Sequence, residues 1–201
     1  MLQIGLNCEA FSLPTSQLRA LPKGSYPDTK WIYEHDGATF SRNMSITVQG
    51  EDADAVVLLG LRVVDFERSS VPGNLAHIGC DATGGEQPTR YLDVILSDPP
   101  RIVSKPGIDD AGKVTQPAAK FPFKVSNSDP EFFELEIGGP PCLCTWRLAL
   151  DWTSKGRKGT TIIGRDSDKI ITDLSEPGVS SPERPEYYYY VEDKWDPPLP
   201  K

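Results

Sequence analysis

The sequence lacks long apolar runs and the features of a secretory leader. No window approaches the roughly 18 consecutive apolar residues that a membrane-spanning helix requires. The N-terminal region contains no charged start followed by an apolar stretch of about 7 to 15 residues. We therefore expect no membrane insertion and a cytoplasmic location for the chain as written, or an extracytoplasmic one if the N-terminus is truncated.

Positive charge is also scarce. The 201 residues include 21 Lys and Arg against 29 Asp and Glu, for a formal net charge of −8. A protein that binds nucleic acid needs a basic face to displace counterions from the phosphates. This charge balance argues against a nucleic-acid partner.

Histidines and catalytic motifs are few. The two histidines are His35 and His77, and a surface position is the commoner role for a polar histidine. The sequence has no Gly-x-Ser-x-Gly elbow, no P-loop, no His-Glu-x-x-His pair and no dinucleotide-binding fingerprint. We predict that the protein is not an enzyme and has no cofactor. Because two acids brought together by folding leave no local motif, a carboxylate-based hydrolase is a third hypothesis.

Metal-binding patterns are also missing. The four cysteines, at positions 8, 80, 142 and 144, do not form the two close pairs that a zinc site usually needs. They can be buried thiols or form two disulfides, but Cys142 and Cys144 are poorly placed to join each other along an extended strand. Asp166, Asp168 and Asp173 lie in a turn that lacks the EF-hand pattern. We predict no metal site.

What the sequence does contain is typical of an all-β protein. It has 17 glycines and 19 prolines, which interrupt helices and suit short strands joined by turns. Apolar residues alternate over 142–152 and 132–137, as in strands with one buried face. The nearly continuous apolar run 55–64 indicates a central strand covered on both faces. We predict an antiparallel β-sandwich, Ig-like or jelly-roll-like.

Weaker signals complete this prediction. The segment 15–21 indicates a helical turn or two that ends at Pro22. Five more strands are expected, at 45–49, 91–96, 121–125, 160–163 and 169–172.

The composition changes after residue 174, where prolines become frequent and the alternation stops. We predict a single domain over 1–174 and an extended Pro/Tyr-rich tail over 175–201. The tail contains four consecutive tyrosines, 187–190, followed by Trp195. One tyrosine pair can complete an edge strand, while Tyr188, Tyr190 and Trp195 are our candidate binding residues, because such rings are enriched at protein interfaces and also stack on sugars.

A compact basic turn is the second candidate site. Lys155, Arg157 and Lys158 occur within four positions of an acidic chain and can hold an anion or the carboxylates of a partner. The alternative interpretation is a solvated hairpin tip.

Several segments together resemble a known module. They are residues 46–50, 55–63, 121–126, 128–131 and 142–152. In these segments the chain is similar to an uncharacterised β-rich module of actinobacterial proteins, often found at the C-terminal end of longer chains. The resemblance covers about Thr47 to Thr172 and implies a domain, with no activity to carry over.

These observations lead to ranked functional hypotheses. The first is a non-enzymatic protein-interaction module that binds a protein partner through its aromatic tail and adjacent loops. The alternative is a ligand-sensing domain for a carbohydrate or a small anion, which would use the aromatic residues and the basic turn.

Overall fold

The structure, a computed structural model, describes residues 2–5, 11–22, 26–39, 43–70, 75–80, 89–108, 111–163, 170–174, 187–191 and 194–196. Within these ranges the chain forms a 3₁₀ helix (Thr15–Ala20), one α-helix, α1 (Thr29–Glu34), and the following strands: β1 (Leu2–Gly5), β2 (Phe11–Pro14), β3 (Ala38–Thr39), β4 (Asn43–Val48), β5 (Val56–Ser69), β6 (Leu75–Cys80), β7 (Arg90–Ile95), β8 (Arg101–Lys105), β9 (Gly107–Ile108), β10 (Val114–Gln116), β11 (Phe123–Val125), β12 (Glu131–Gly138), β13 (Leu143–Ser154), β14 (Arg157–Ile163), β15 (Ile170–Asp173), β16 (Tyr187–Val191) and β17 (Lys194–Asp196).

A five-stranded sheet has the order β1-β4-β12-β7-β8. Its middle strand, β12, runs antiparallel to β4 and parallel to β7. Phe133, Leu135 and Ile137 on β12 are buried, whereas Glu134 and Glu136 alternate with them on the other face. The alternation predicted for 132–137 is therefore confirmed.

A ten-stranded sheet has the order β11-β5-β13-β15-β3-β2-β6-β16-β17, with β14 also paired to β13. Strand β13 pairs with β5 along one side. Its other side is shared between β15, which pairs with the first part of β13, and β14, which pairs with the last part. A separate two-stranded sheet is formed by β9 and β10.

One hydrophobic cluster unites the two larger sheets. It combines side chains of β4, β7 and β12 with side chains of β5, β11, β13, β14 and β15. Trp146 on β13 lies at its centre with no exposed surface, and its indole N–H donates a hydrogen bond to Thr172 Oγ1 at 3.0 Å. This hydrogen bond satisfies the only polar atom of a large buried ring.

A second cluster lies under the N-terminal segments. Phe11 and Leu13 on β2 and Ala76 and Ile78 on β6 pack there with Leu18, Leu21 and Ile32. Ile32 belongs to α1, which the sequence analysis missed. The Asp28 side chain caps this helix by accepting a hydrogen bond from the Trp31 backbone N–H at 2.8 Å, and the aspartate before an apolar segment is a signal that could have revealed it.

The all-β class is confirmed, and the strands predicted at 45–49, 91–96, 121–125, 142–152, 160–163 and 169–172 all occur with shifted ends. The sandwich subtype, with its Ig-like or jelly-roll alternatives, stays a prediction, as does the division into 1–174 and 175–201. No helix in the described ranges combines the length and the apolar character that crossing a membrane requires.

Two predictions, one about the burial of a strand and one about the cysteines, are wrong. The run 55–64 is not covered on both faces: among the residues of β5 only Leu58 is buried, and the rest are half-buried or exposed. Cys142 and Cys144 form a disulfide, with Cα atoms 5.4 Å apart. Fully extended residues two apart would be separated by about 6.6 Å, but Cys142 precedes the start of β13, so the chain between the two cysteines is contracted into the range that disulfides accept.

Part of the predicted tail joins the ten-stranded sheet. The backbone of β16 pairs in parallel with β6, from Tyr187 opposite His77 to Tyr190 opposite Cys80, and β17 pairs with β16. The side chains of Tyr188, Tyr190 and Trp195 lie outside the described part of the structure.

The buried indole hydrogen bond gives a stability prediction. Thr172→Val removes the acceptor but keeps the shape, so it should lower the free energy of unfolding by about 1–3 kcal/mol, because the Trp146 N–H is left buried without its partner. Urea denaturation of the full chain measures this loss.

The matched control is Thr161→Val, which removes the same kind of hydrogen bond from the exposed Trp152–Thr161 pair. Its cost should be clearly smaller, because water can replace the acceptor. Equal losses for the two variants would contradict the prediction.

Candidate functional site

The candidate site is a cavity of about 550 Å³ at the end of β13 that leads into the turn before β14. On the inner face of β13, Leu150 is only 4% exposed and still belongs to the shared core. Further along the strand, Trp152 and Ser154 are half-buried. The inner face of the ten-stranded sheet therefore becomes accessible at this point, and we call this cavity the cleft.

The floor of the cleft is aliphatic. It consists of side chains from β4, β5, β11 and β13: Val48, Val56, Leu58, Val125 and Leu150. All of these except Val56 are buried core residues. A ligand in the cleft would thus contact the edge of the hydrophobic core.

Trp152 forms one wall, and its neighbours hold its ring. The indole N–H donates to Thr161 Oγ1 at 3.0 Å. Gly159 lies directly opposite on β14, and a Cβ at this position would overlap the indole carbons. Because the glycine leaves room for the ring on the strand and the threonine fixes its rotation, Trp152 is positioned before any ligand binds.

A second wall is the connection between β4 and β5. Its backbone is held to the loop after β11: the Gly50 N–H donates to Ser126 O at 3.1 Å and the Asn127 N–H donates to Asp52 O at 2.9 Å. The Gln49 side chain also donates to Asn127 O, at 2.6 Å. These bonds fix Glu51 and Asp52, which line the cleft.

The basic turn lies at the mouth of the cleft. Lys155 and Gly156 both have positive φ, 50° and 74°, as the two central residues of a tight hairpin turn require. The hairpin predicted here is therefore present. Lys155 Nζ contacts Asp54 at 2.5 Å and Asp52 at 3.5 Å, and the hydrogen bond to Asp54, followed by the charges of both carboxylates, raises the pKa of Lys155.

The two cations after the turn face opposite sides. Arg157 pairs with Ser154 and is two positions from Gly159, so strand alternation assigns it to the same face as Trp152. Lys158 pairs with Thr153 and belongs to the other face, although it also contributes to the cleft rim. Neither side chain has an ion-pair partner in the described ranges, so Arg157 is the cation best placed to meet a ligand.

Charges around the mouth are balanced. Three acidic side chains, Glu51, Asp52 and Asp54, are matched in number by three basic ones, Lys155, Arg157 and Lys158. Since Lys155 is already neutralised by its aspartates, the positive charge that remains on the cleft face comes from Arg157.

A second cavity, of about 330 Å³, lies on the outer face of the five-stranded sheet. Glu134 and Glu136 on β12 line it together with Tyr91 and Lys105. Lys105 Nζ contacts Asp93 at 3.0 Å and is also hydrogen-bonded to Glu136. The hydrogen bond to Glu136, and to a smaller extent the one to Asp93, raises the pKa of Lys105. The carboxylates of Glu134 and Glu136 thus share a cavity, but that of Glu136 is paired with Lys105. The carboxylate-hydrolase hypothesis stays a prediction.

The histidines lie away from the cleft. His77 is only 4% exposed, with Nδ1 at 3.0 Å from Ser12 Oγ, which is also buried. The expectation of a surface position is therefore wrong for His77, because both faces of β6 are covered. A buried serine next to a buried histidine lacks the substrate access that a nucleophile needs. His35 stacks on Trp31 and bonds its carbonyl.

The structure brings together some predicted site residues and not others. Lys155, Arg157 and Lys158 meet at the cleft, while the side chains of Tyr188, Tyr190 and Trp195, as well as Asp166 and Asp168, lie outside the described part. The described residues contain no group of three or more His, Cys, Asp or Glu that could hold a metal ion. Sequence reasoning missed Trp152 as a site residue, although its position just before the basic turn was a usable signal.

Comparisons of this chain with protein-family models, curated proteins and solved structures found no match.

The fit of Trp152 on Gly159 can be tested. Gly159→Ala should displace the indole, lower the free energy of unfolding by about 1–3 kcal/mol because of overpacking, and shift the Trp152 emission. Urea denaturation and fluorescence measure both effects, with Trp152→Phe identifying the contribution of this ring.

Gly60→Ala is the control, since an added Cβ there has no neighbour within 4 Å. Identical behaviour of the two alanine variants would show that the glycine does not position the ring.

A pH prediction follows from an ion pair on the face behind the cleft. Arg62 donates two hydrogen bonds to Asp151, and Thr160 donates a third. The bonds from Arg62 and then from Thr160 lower the pKa of Asp151 from its ordinary value near 3.8. Because the folded-state pKa lies below the unfolded one, the ionised carboxylate stabilises the fold above about pH 4, and this contribution disappears as the pH falls through the folded-state pKa.

The measurement compares the wild type with Asp151→Asn. The difference in their free energy of unfolding should favour the wild type at pH 7 and shrink toward about pH 3. A difference that does not change with pH would show that the carboxylate charge contributes nothing.

Proposed function

We propose that the protein is a non-enzymatic binding domain that holds a small anionic molecule in the cleft. One observation supports this most strongly: Trp152 and Arg157 share one face of the β13–β14 hairpin above an aliphatic floor. Binding sites for small molecules are typically apolar cavities of about 300–1,000 Å³ with a few convergent polar groups. The cleft has this volume and this distribution of groups.

The groups around the cleft are suited to binding rather than to catalysis. Among the described residues that line the cleft there is no histidine or cysteine, and Ser154 donates to the Ala55 carbonyl at 3.4 Å. This described part of the lining therefore contains no serine or cysteine next to a histidine base. What the cleft offers is a fixed ring, a cation and apolar surface.

A protein partner at the C-terminal strands is the second candidate. Strand β17 stands last in the order of the ten-stranded sheet, and an edge strand can accept a further strand from another chain. Tyr188, Tyr190 and Trp195 occur on this hairpin. Replacing all three by alanine should abolish capture of the partner from the native host without unfolding the domain, and capture that survives the triple change contradicts this candidate.

Ligand binding at the cleft is tested by a thermal-shift screen of the full chain against monocarboxylates, inorganic phosphate, sulfate and neutral sugars. A ligand at about one hundred times its dissociation constant stabilises the folded state by about 2.7 kcal/mol, which is a measurable increase in Tm. We expect stabilisation by at least one anion and its loss in Arg157→Gln. No stabilisation by any compound at millimolar concentration would contradict the proposal.

A further inference from the structure

Resting on the binding function proposed above, we infer that the ligand of the cleft is a monocarboxylate with an extended apolar body, rather than a phosphate or a neutral sugar. The aliphatic floor, the Arg157 guanidinium and the acidic rim each restrict the ligand in a different way.

The floor requires an apolar body. Val48, Leu58 and Leu150 are between 1% and 8% exposed, so the cleft ends against the interior of the core. Hydroxyl groups of a sugar placed there would lose hydrogen bonds to water and find only methyl groups. Methylene groups gain from the same contact, and burial of each one strengthens binding by about fourfold.

The head group is selected by Arg157. A guanidinium donates two parallel hydrogen bonds to a carboxylate, which gives a fixed geometry as well as charge pairing. Lys155 is not equivalent, because Asp52 and Asp54 already hold its ammonium group. A ligand carboxylate that paired with Lys155 would be a third negative group around an ammonium that two carboxylates already contact.

The rim disfavours a dianion. Glu51 and Asp52 line the cleft, and this segment is held by the backbone bonds that join Gly50 and Asp52 to the loop after β11. A phosphate group with more than one negative charge would lie near the Glu51 carboxylate, and Arg157, the cation on the same face as Trp152, balances only one of its charges. A carboxylate carries one charge, which Arg157 balances.

The test is a titration of the full chain with butanoate, hexanoate and octanoate, followed by isothermal titration calorimetry and by Trp152 fluorescence. We expect one site and an affinity that rises with chain length, by up to about fourfold per methylene until the cleft is filled. Octan-1-ol, octyl phosphate, inorganic phosphate and glucose serve as comparison probes, and each should bind at least about tenfold more weakly than octanoate.

Two matched variants locate the head group. Arg157→Gln should weaken octanoate binding by about tenfold or more. Lys124→Gln removes one positive charge from an exposed position on β11 that does not line the cleft, on the face opposite to Val125, and should change the affinity less than about twofold. Val56→Thr, which keeps the volume of the half-buried floor residue, should weaken octanoate binding several-fold and leave butanoate unchanged.

The outcomes separate the two proposals. If phosphate or glucose binds in an Arg157-dependent manner and octanoate does not, the binding function stands and the ligand class is wrong. If octan-1-ol binds as well as octanoate, or if Lys124→Gln weakens octanoate binding as much as Arg157→Gln does, the assignment of the head group is overturned. If no probe binds, the proposed function itself fails.

Discussion

The antiparallel pairing of β5 with β13 supports most of the structure. It extends from Leu143 opposite Ser69 to Thr153 opposite Val57, with two interruptions of register. One face of β13 supplies Cys144, Trp146, Leu148 and Leu150 to the shared core. The other edge of β13 provides the places where β14 and β15 attach. Without this ladder, the five-stranded sheet would have no apolar face to pack against.

The cleft lies at the end of the β5–β13 pair, where the side chains of β13 are no longer fully buried. The alternation that buries Leu150 continues to Trp152, whose half-buried ring packs against the core cluster and lies close to Gly159. The next two positions lead into a turn whose positive φ values reverse the chain at once, and this returns Arg157 to the face of Trp152. The groups proposed to bind the ligand therefore continue the core pattern into a region that water reaches.

Local pattern was a good guide where one face of a strand is buried and the other is not. The alternation at 132–137 and 142–152 correctly indicated the core-facing side of each strand, although Trp152 is only half-buried and Ala149 on the other side is also buried. The Lys155–Gly156 turn was found as a hairpin. The pattern failed for β5, which was predicted to be covered on both faces but has mostly half-buried or exposed side chains. It also failed for His77, which is buried because both faces of β6 are covered. Burial depends on which layer lies above a strand, and composition alone does not contain that information. Helix α1 was missed because its single capped turn and a half carries little periodicity.

The sequence by itself determined the all-β class, the facing of β12 and β13 and the position of the basic turn, because alternation and turn chemistry act between residues that are close along the chain. Only the tertiary structure decided that Val48, Val125 and Trp152 meet around one cleft, and that Lys155 is neutralised by Asp52 and Asp54 while Arg157 is not. These contacts join segments far apart in sequence, and they form only after the two sheets have packed and fixed the register of every strand.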